Sequence, residues 1–258
     1  MDVLLAAIVI IGLFYLIGRP LLGILGLLGH TLSGLPEAQK RLLLHHIPYY
    51  IALSQLDRTR FEKRVKEFIY EKEWLGRGIS ITDEMKVRIA AVAVQLTFGI
   101  SPLLLLHFRK IVVRPTTYRN RRTGMEHVGE VILGQGAVVL AWDRFLRDEA
   151  IPNDGRNLGL HEMAHALWFE HVIPNAEDEL FAPAAEAEWR RLSKEHIAII
   201  RSGETHFLRD YAGTNEAEFF AVCVEYFFEQ AIAFRKAEPE LYQALVGMLK
   251  QDPAAAVC

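Results

Sequence analysis

The sequence predicts an α+β protein: a mainly helical domain with a small mixed sheet, preceded by an N-terminal transmembrane helix. Three observations carry this. Segments with helical hydrophobic spacing and polar first turns fill most of the chain. Short runs rich in branched residues cluster between residues 103 and 141. Residues 3–28 are apolar apart from a few turn-forming positions and carry a single charge, Arg19.

The chain's 258 residues allow one substantial domain and an appendage. A net charge of −3 gives no basic surface for nucleic acid. Two cysteines, Cys223 and Cys258, make no disulfide framework. The organisation expected is a membrane anchor over 1–32 and a domain over 33–258, with a helical part at 36–100 and a core at 103–253.

The anchor comes first. Residues 3–17 are uninterrupted apolar sequence, and the run resumes at 21–29 after Gly18-Arg19-Pro20. A span needs about 20 apolar residues, which 3–28 supplies. A signal peptide fits poorly, because Asp2 stands where a basic segment belongs and no small-residue cleavage site follows. Basic residues follow the run (Arg19, Lys40, Arg41) and none precede it, so the domain is expected on the cytoplasmic side. The lack of disulfide pairs agrees.

After a linker at 33–36, residues 37–46 read as a helix stopped before Pro48. Residues 57–74 read as an amphipathic helix capped by Asp57 or Thr59, with Phe61, Val65, Phe68 and Ile69 on one side. Thr82 caps a helix over 82–98 that ends at Gly99 and Pro102. Strand is expected over 103–113, then a basic, solvated turn with Arg119, Arg121 and Arg122. Strands at 128–133 and 137–141 are joined by Gly134-Gln135-Gly136. A polar connection runs from Asp143 to Asn157 and lines a cleft. Past a loop at 174–179, helices are expected over 183–200, with Trp189 and Leu192 inward, around Glu218, and over 239–250.

Between these lies Gly159-Leu160-His161-Glu162-Met163-Ala164-His165-Ala166-Leu167-Trp168, with Asn157 or Asn153 as its cap. His161-Glu162-x-x-His165 puts two imidazoles one turn apart on one helical face, where both reach one metal ion. Glu162 flanks that face and suits proton abstraction from a water rather than ligation. A third protein ligand is needed, and two candidates compete. His171 has the right spacing for one class of zinc peptidase, but it reaches the metal only if the helix ends near Trp168, which offers no left-handed turn. Glu218 follows a cap at Thr214 or Asn215, among Phe219, Phe220 and Val222. A carboxylate there is costly to bury unless it is paired or binds metal.

Residues 160–167 and 211–228 together resemble the Mlc titration factor A family of zinc peptidases. The resemblance continues in 136–142 and in Ile47-Pro48 with the helices after it, and covers roughly 36–253. It implies a zincin-like catalytic domain of gluzincin type, with one zinc on His161, His165 and Glu218 and with Glu162 as base. It also implies Tyr211 as the hydroxyl facing the oxyanion. His127 is the nearest match to a histidine associated with a closed, self-inhibited site, as a fourth ligand. Zinc peptidases of this type add an extended substrate to a sheet edge. Ala137, Val138, Val139 and Leu140 are the candidate edge. The expected reaction is hydrolysis of peptide bonds in a peptide or protein substrate, endo- versus aminopeptidase preference being open. The alternative is a regulatory protein that binds a transcriptional repressor, with the zinc site secondary.

Overall fold

The computed structural model describes residues 34–100, 105–119, 124, 126–173 and 180–255. The 3–28 run, the 174–179 loop and Arg121 and Arg122 lie outside the described residues. Among the described residues, no helix is long and apolar enough to cross a membrane. The following concerns the unit that begins at Ala38.

Two helices, α1 (Glu37–His46) and the short α2 (Pro48–Ala52), lead into α3 (Gln55–Glu71). The cap of α3 is Ser54, whose hydroxyl accepts from the Asp57 amide, so the helix starts two residues earlier than Asp57 predicts. It also stops earlier. Glu73–Gly76 is strand β1 rather than a last helical turn, and Trp74 pairs with Ile111. Thr82 caps α4 (Asp83–Thr97) as expected. α4 is apolar on nearly every side and is buried accordingly. Its C-terminal carbonyls are held by a buried arginine of α3: Arg64 donates to Thr97 O at 2.9 Å and Phe98 O at 3.1 Å.

The main sheet has the order β1-β2-β6-β5, where β2 is Lys110–Arg114, β5 is Gly129–Ile132 and β6 is Ala137–Ala141. β1, β2 and β6 run parallel, and β5 is antiparallel to β6. A two-stranded ribbon, β3 (Tyr118–Arg119) with β4 (Glu126–His127), stands apart from it. Strand over 103–113 is thus realised only from Lys110 on, residues 101–104 being outside the described set.

The candidate edge, Ala137–Leu140, is corrected by this topology: β6 is interior. A 3-10 turn over Leu133–Gln135 and Gly136 at φ 57 reverse the chain, folding β5 back onto the outer side of β6. β2 pairs along the other side, so both of β6's edges are occupied. The sequence carries the signature of that burial. Ala-Val-Val-Leu-Ala is apolar at every position, as a strand covered on both faces must be, and all five residues are buried. Among the described residues the sheet's edges are β1 and β5, and Gly129–Ile132 is the one packed against the helix that follows at 158–172.

The polar connection after Asp143 is also corrected. Trp142–Glu149 is α5, entered directly from β6 through Ala141, which offers no side-chain cap. Phe145 and Asp148 are its buried positions. Next come α6 (Leu158–Val172), α7 (Pro183–Ser202), a 3-10 turn at Asp210–Gly213, α8 (Glu216–Glu229), α9 (Ala231–Ala237) and α10 (Pro239–Leu249). α6 packs against both β5 and β6 on one side and along α8 on another. The site is built on that junction.

Candidate metal centre

Each side chain of the motif is positioned by a cap. Asn157 Oδ1 accepts from the Leu160 amide at 3.0 Å and starts α6, so Asn157 is the cap and Asn153 is not. Asn215 Oδ1 accepts from the Glu218 amide at 3.0 Å and starts α8, which fixes Glu218 in the first turn. α6 then presents His161 and His165, one turn apart, to Glu218 across the helix–helix contact.

The three ligand atoms form a nearly regular triangle. His161 Nε2 and His165 Nε2 are 3.1 Å apart, and each is 3.2 Å from Glu218 Oε2. A tetrahedral zinc with bonds of about 2.0–2.1 Å places its ligand atoms about 3.3–3.4 Å apart, so the triangle matches one face of that tetrahedron. Glu218 Oε2 is buried and engaged in no hydrogen bond, although two ring nitrogens lie 3.2 Å away. Two imidazoles and one carboxylate also make a donor set suited to zinc. The residues fit the ion.

Electrostatics agree. Burial alone would raise the Glu218 carboxyl, but the His161 and His165 imidazoles beside it hold it well below the usual carboxylate range. Burial would lower His161, yet hydrogen bonds to Glu218 and Glu225 carry it up to about 10. In the metal-free site the trio thus holds one positive charge against the carboxylates, the place a bound cation would take.

Glu225 was not foreseen. It is buried on α8, two turns beyond Glu218 and on the same face. Its Oε2 lies 3.2 Å from His161 Nδ1, and its Oε1 accepts from the Asn157 amide at 2.9 Å. Arg209 pairs with the same carboxylate and also donates to Gly155 O at 2.6 Å. A carboxylate behind a ligand histidine fixes the ring's tautomer and orientation. The sequence did hold a signal: a second acidic residue, seven positions on, in an aromatic helix.

Glu162 lies beside the ligand histidines and is 4% exposed. Burial, with the nearby charges of Glu218 and Glu225 adding to it, pushes its carboxyl up to about 8 despite His161 pulling the other way. Gly129 of the edge strand abuts it: a β-carbon there would sit 2.5 Å from Glu162 Cδ. Only glycine leaves the carboxyl that room.

Tyr211 sits on the 3-10 turn before α8, half-exposed, with its ring 6.1 Å from that of His161. Burial, then the charge of Glu218 and a hydrogen bond to it, lift its phenol to about 12. A cavity of about 380 Å³ opens here, and His127, Gly129, His161, Glu162 and Tyr211 line it. His127 is on β4, stacked on Tyr118 at 5.9 Å, with a buried Nε2 that lacks a hydrogen-bond partner. It faces the cavity but is outside the trio whose ligand atoms lie within 4.8 Å of one another.

His171 is not part of the centre. α6 runs through Trp168 to Val172, and His171 Nε2 pairs with Glu186 at 3.1 Å. A second close group, His196, His206 and Glu238, resembles a metal site by proximity alone. Its proton inventory argues otherwise. The Leu208 amide donates to His206 Nδ1 at 3.0 Å, so in the neutral ring the proton is on Nε2. That nitrogen then donates to His196 Nδ1 at 2.7 Å, and neither lone pair is left for an ion.

The model of a family described as Glucose-regulated metallo-peptidase M90 matches residues 30–250. A protein of Synechocystis sp. designated slr2042 is 27% identical over 227 residues, covering 82% of each chain. Proteins named Mlc titration factor A from Yersinia pestis and Yersinia pseudotuberculosis are 22% identical over 258 residues, covering 85% of this chain and 88% of theirs.

Proposed function

The chain belongs to the Glucose-regulated metallo-peptidase M90 family, and we propose that it is a membrane-anchored, zinc-dependent peptidase that hydrolyses peptide bonds with Glu162 as general base. One observation carries the reading: three ligand atoms at 3.1–3.2 Å from one another, with a buried carboxylate beside them at a cavity wall. Held by His161, His165 and Glu218, zinc supplies Lewis acidity that polarises a peptide carbonyl and acidifies a water.

The protein's own groups do the rest. Gly129–Ile132, the edge strand beside the site, takes an extended peptide by main-chain hydrogen bonds. Glu162 removes a proton from the attacking water and passes it to the leaving amine. Its buried carboxyl, beside the trio at the cavity wall, is placed for both halves of that transfer. The Tyr211 hydroxyl, at the cavity wall beside His161, donates to the carbonyl oxygen as charge develops on it. Hydrolysis of a peptide library by the zinc-loaded protein, with cleavage sites mapped by mass spectrometry, tests the reading and separates endo- from aminopeptidase cleavage.

Tyr211→Phe is expected to keep its zinc and melting temperature and to lose about 10²–10³-fold in kcat, with KM changed far less. A variant within about threefold of wild type would move the oxyanion role to another group.

The anchor rests on the 3–28 apolar run. The chain is expected to sediment with membranes and to resist alkaline washing, and a chain without residues 1–32 to stay in the supernatant. Recovery of the full chain as a soluble monomer without detergent removes the anchor. With the anchor goes the cytoplasmic placement drawn from Arg19, Lys40 and Arg41.

The name of the Yersinia relatives supports a second reading, a binding protein that captures a transcriptional repressor. Repressor binding that survives Glu162→Gln in a chain that cleaves no peptide would favour it.

A further inference from the structure

One wing of the cavity is basic, and its guanidinium groups are not equivalent. Arg144, Arg156 and Arg209 line it with Asp148, Leu158 and Glu225, around the start of α6. Arg209 is committed to Glu225 and to Gly155 O. Arg144 lies 2.7 Å from Asp148, whose other oxygen accepts from the Leu158 amide at 3.1 Å. Both of these arginines therefore neutralise carboxylates that hold the frame of the site. Arg156 does not. Among the described residues its side chain has no ion pair or hydrogen-bond partner; only its backbone amide is engaged, donating to Asp154 Oδ1 at 2.8 Å.

Its mounting is rigid. The loop that carries it is pinned on both sides: the Asn153 amide donates to Glu229 at 2.8 Å, Gln230 donates to Asn153 O at 2.7 Å, and Arg209 holds Gly155 O at 2.6 Å. The next residue, Asn157, caps α6 and donates its own amide to Glu225 at 2.9 Å. Position 156 thus has a fixed place relative to His161, five residues on. The loop holds it there, and its side chain is left with a surplus positive charge.

We propose that Arg156 is a specificity-determining residue of the cleft, which pairs with a carboxylate of the bound peptide, either an acidic side chain or the free C-terminus. This rests on the peptidase reading. The guanidinium geometry favours a planar, two-oxygen partner. Partial exposure limits the effect to several-fold and makes it sensitive to salt.

The test measures peptide binding to the zinc-loaded Glu162→Gln protein, so that no cleavage intervenes. Four labelled peptides share one neutral sequence. They carry a C-terminal amide, a C-terminal acid, an amide with one Asp, or an amide with one Lys. Either or both of the carboxylate peptides should bind about 3–10-fold tighter than the neutral amide at low salt, and the acid-against-Asp comparison identifies the source. Arg156→Gln should bring that ratio close to one, and Arg156→Glu should turn the preference towards Lys. A wild-type ratio near one, or a preference that survives Arg156→Gln, overturns the proposal. Parallel assays on the Glu162-containing protein separate the two readings. Binding with the preference but without cleavage sinks the peptidase alone. Cleavage without the preference sinks the role of Arg156 alone, and no binding of any peptide sinks both.

Discussion

Glu162→Gln is expected to lower kcat by about 10²–10⁴-fold while leaving the zinc content at one per chain. A positioned general base typically contributes 10²–10⁴-fold, and this one has no described neighbour able to replace it. Tyr118 and Glu130 are nearby, but the Tyr118 hydroxyl donates to Glu130 at 3.2 Å. Glutamine is isosteric, so it keeps the packing against Gly129 and leaves His161 and His165 undisturbed. The metal-free proteins provide a control on folding. The Glu162 carboxyl is raised from 4.5 to about 8 in the folded chain, so the folded state holds the proton more tightly than the unfolded one. Its contribution to stability is therefore present below 4.5 and is lost as pH rises towards 8. Glutamine removes that loss, so the melting temperature of the variant should match wild type near pH 4.5 and exceed it above pH 8. A variant that still turns over within about tenfold of wild type would sink the base assignment.

Zinc affinity should fall in a graded series that follows distance from the ion. Glu218→Ala removes one of three protein ligands and is expected to lose the metal on dialysis against a mild chelator. Glu225→Gln leaves all three ligands but frees the His161 ring from its carboxylate, which typically costs 10–100-fold in affinity. His171→Ala should leave the affinity unchanged, because His171 pairs with Glu186 on α7. Competition with a zinc-binding dye reads all three variants. Retention by Glu218→Ala together with loss by His171→Ala would reverse the ligand assignment.

Local patterns made much of this site legible. The His-Glu-x-x-His spacing, the Asn157 and Asn215 caps and the cost of burying Glu218 among aromatic residues are all short-range signals, and they pointed to the His161, His165 and Glu218 trio that the fold brings together and to the buried Glu162 beside it. What was missed depends on long-range partners. Lys72-Glu73-Trp74 looks helical until Ile111 is there to pair with Trp74. α5 has no cap of its own because the chain enters it straight from β6. Whether β6 or β5 is the edge is set by a hairpin reversal at Gly136 and by β2 arriving from the far side. The uniform apolarity of 137–141 was the clue that went unread. The role of Glu225 was hidden for a similar reason, its spacing from Glu218 being the only local sign: its partners His161, Asn157 and Arg209 lie 64, 68 and 16 residues away.

The contact between Gly129 and Glu162 links two positions that a sequence comparison would otherwise treat as unrelated. As long as a chain keeps the acid on α6 in this place, a side chain on the strand opposite would displace its carboxyl. A lineage that has given up hydrolysis and lost the acid is released from that constraint, and its glycine is free to drift to alanine or valine. Paired inspection of these two columns across relatives therefore sorts working hydrolases from descendants retained for binding alone. Glycine with glutamate marks the first group, and a side chain at the strand position with a smaller residue on the helix marks the second.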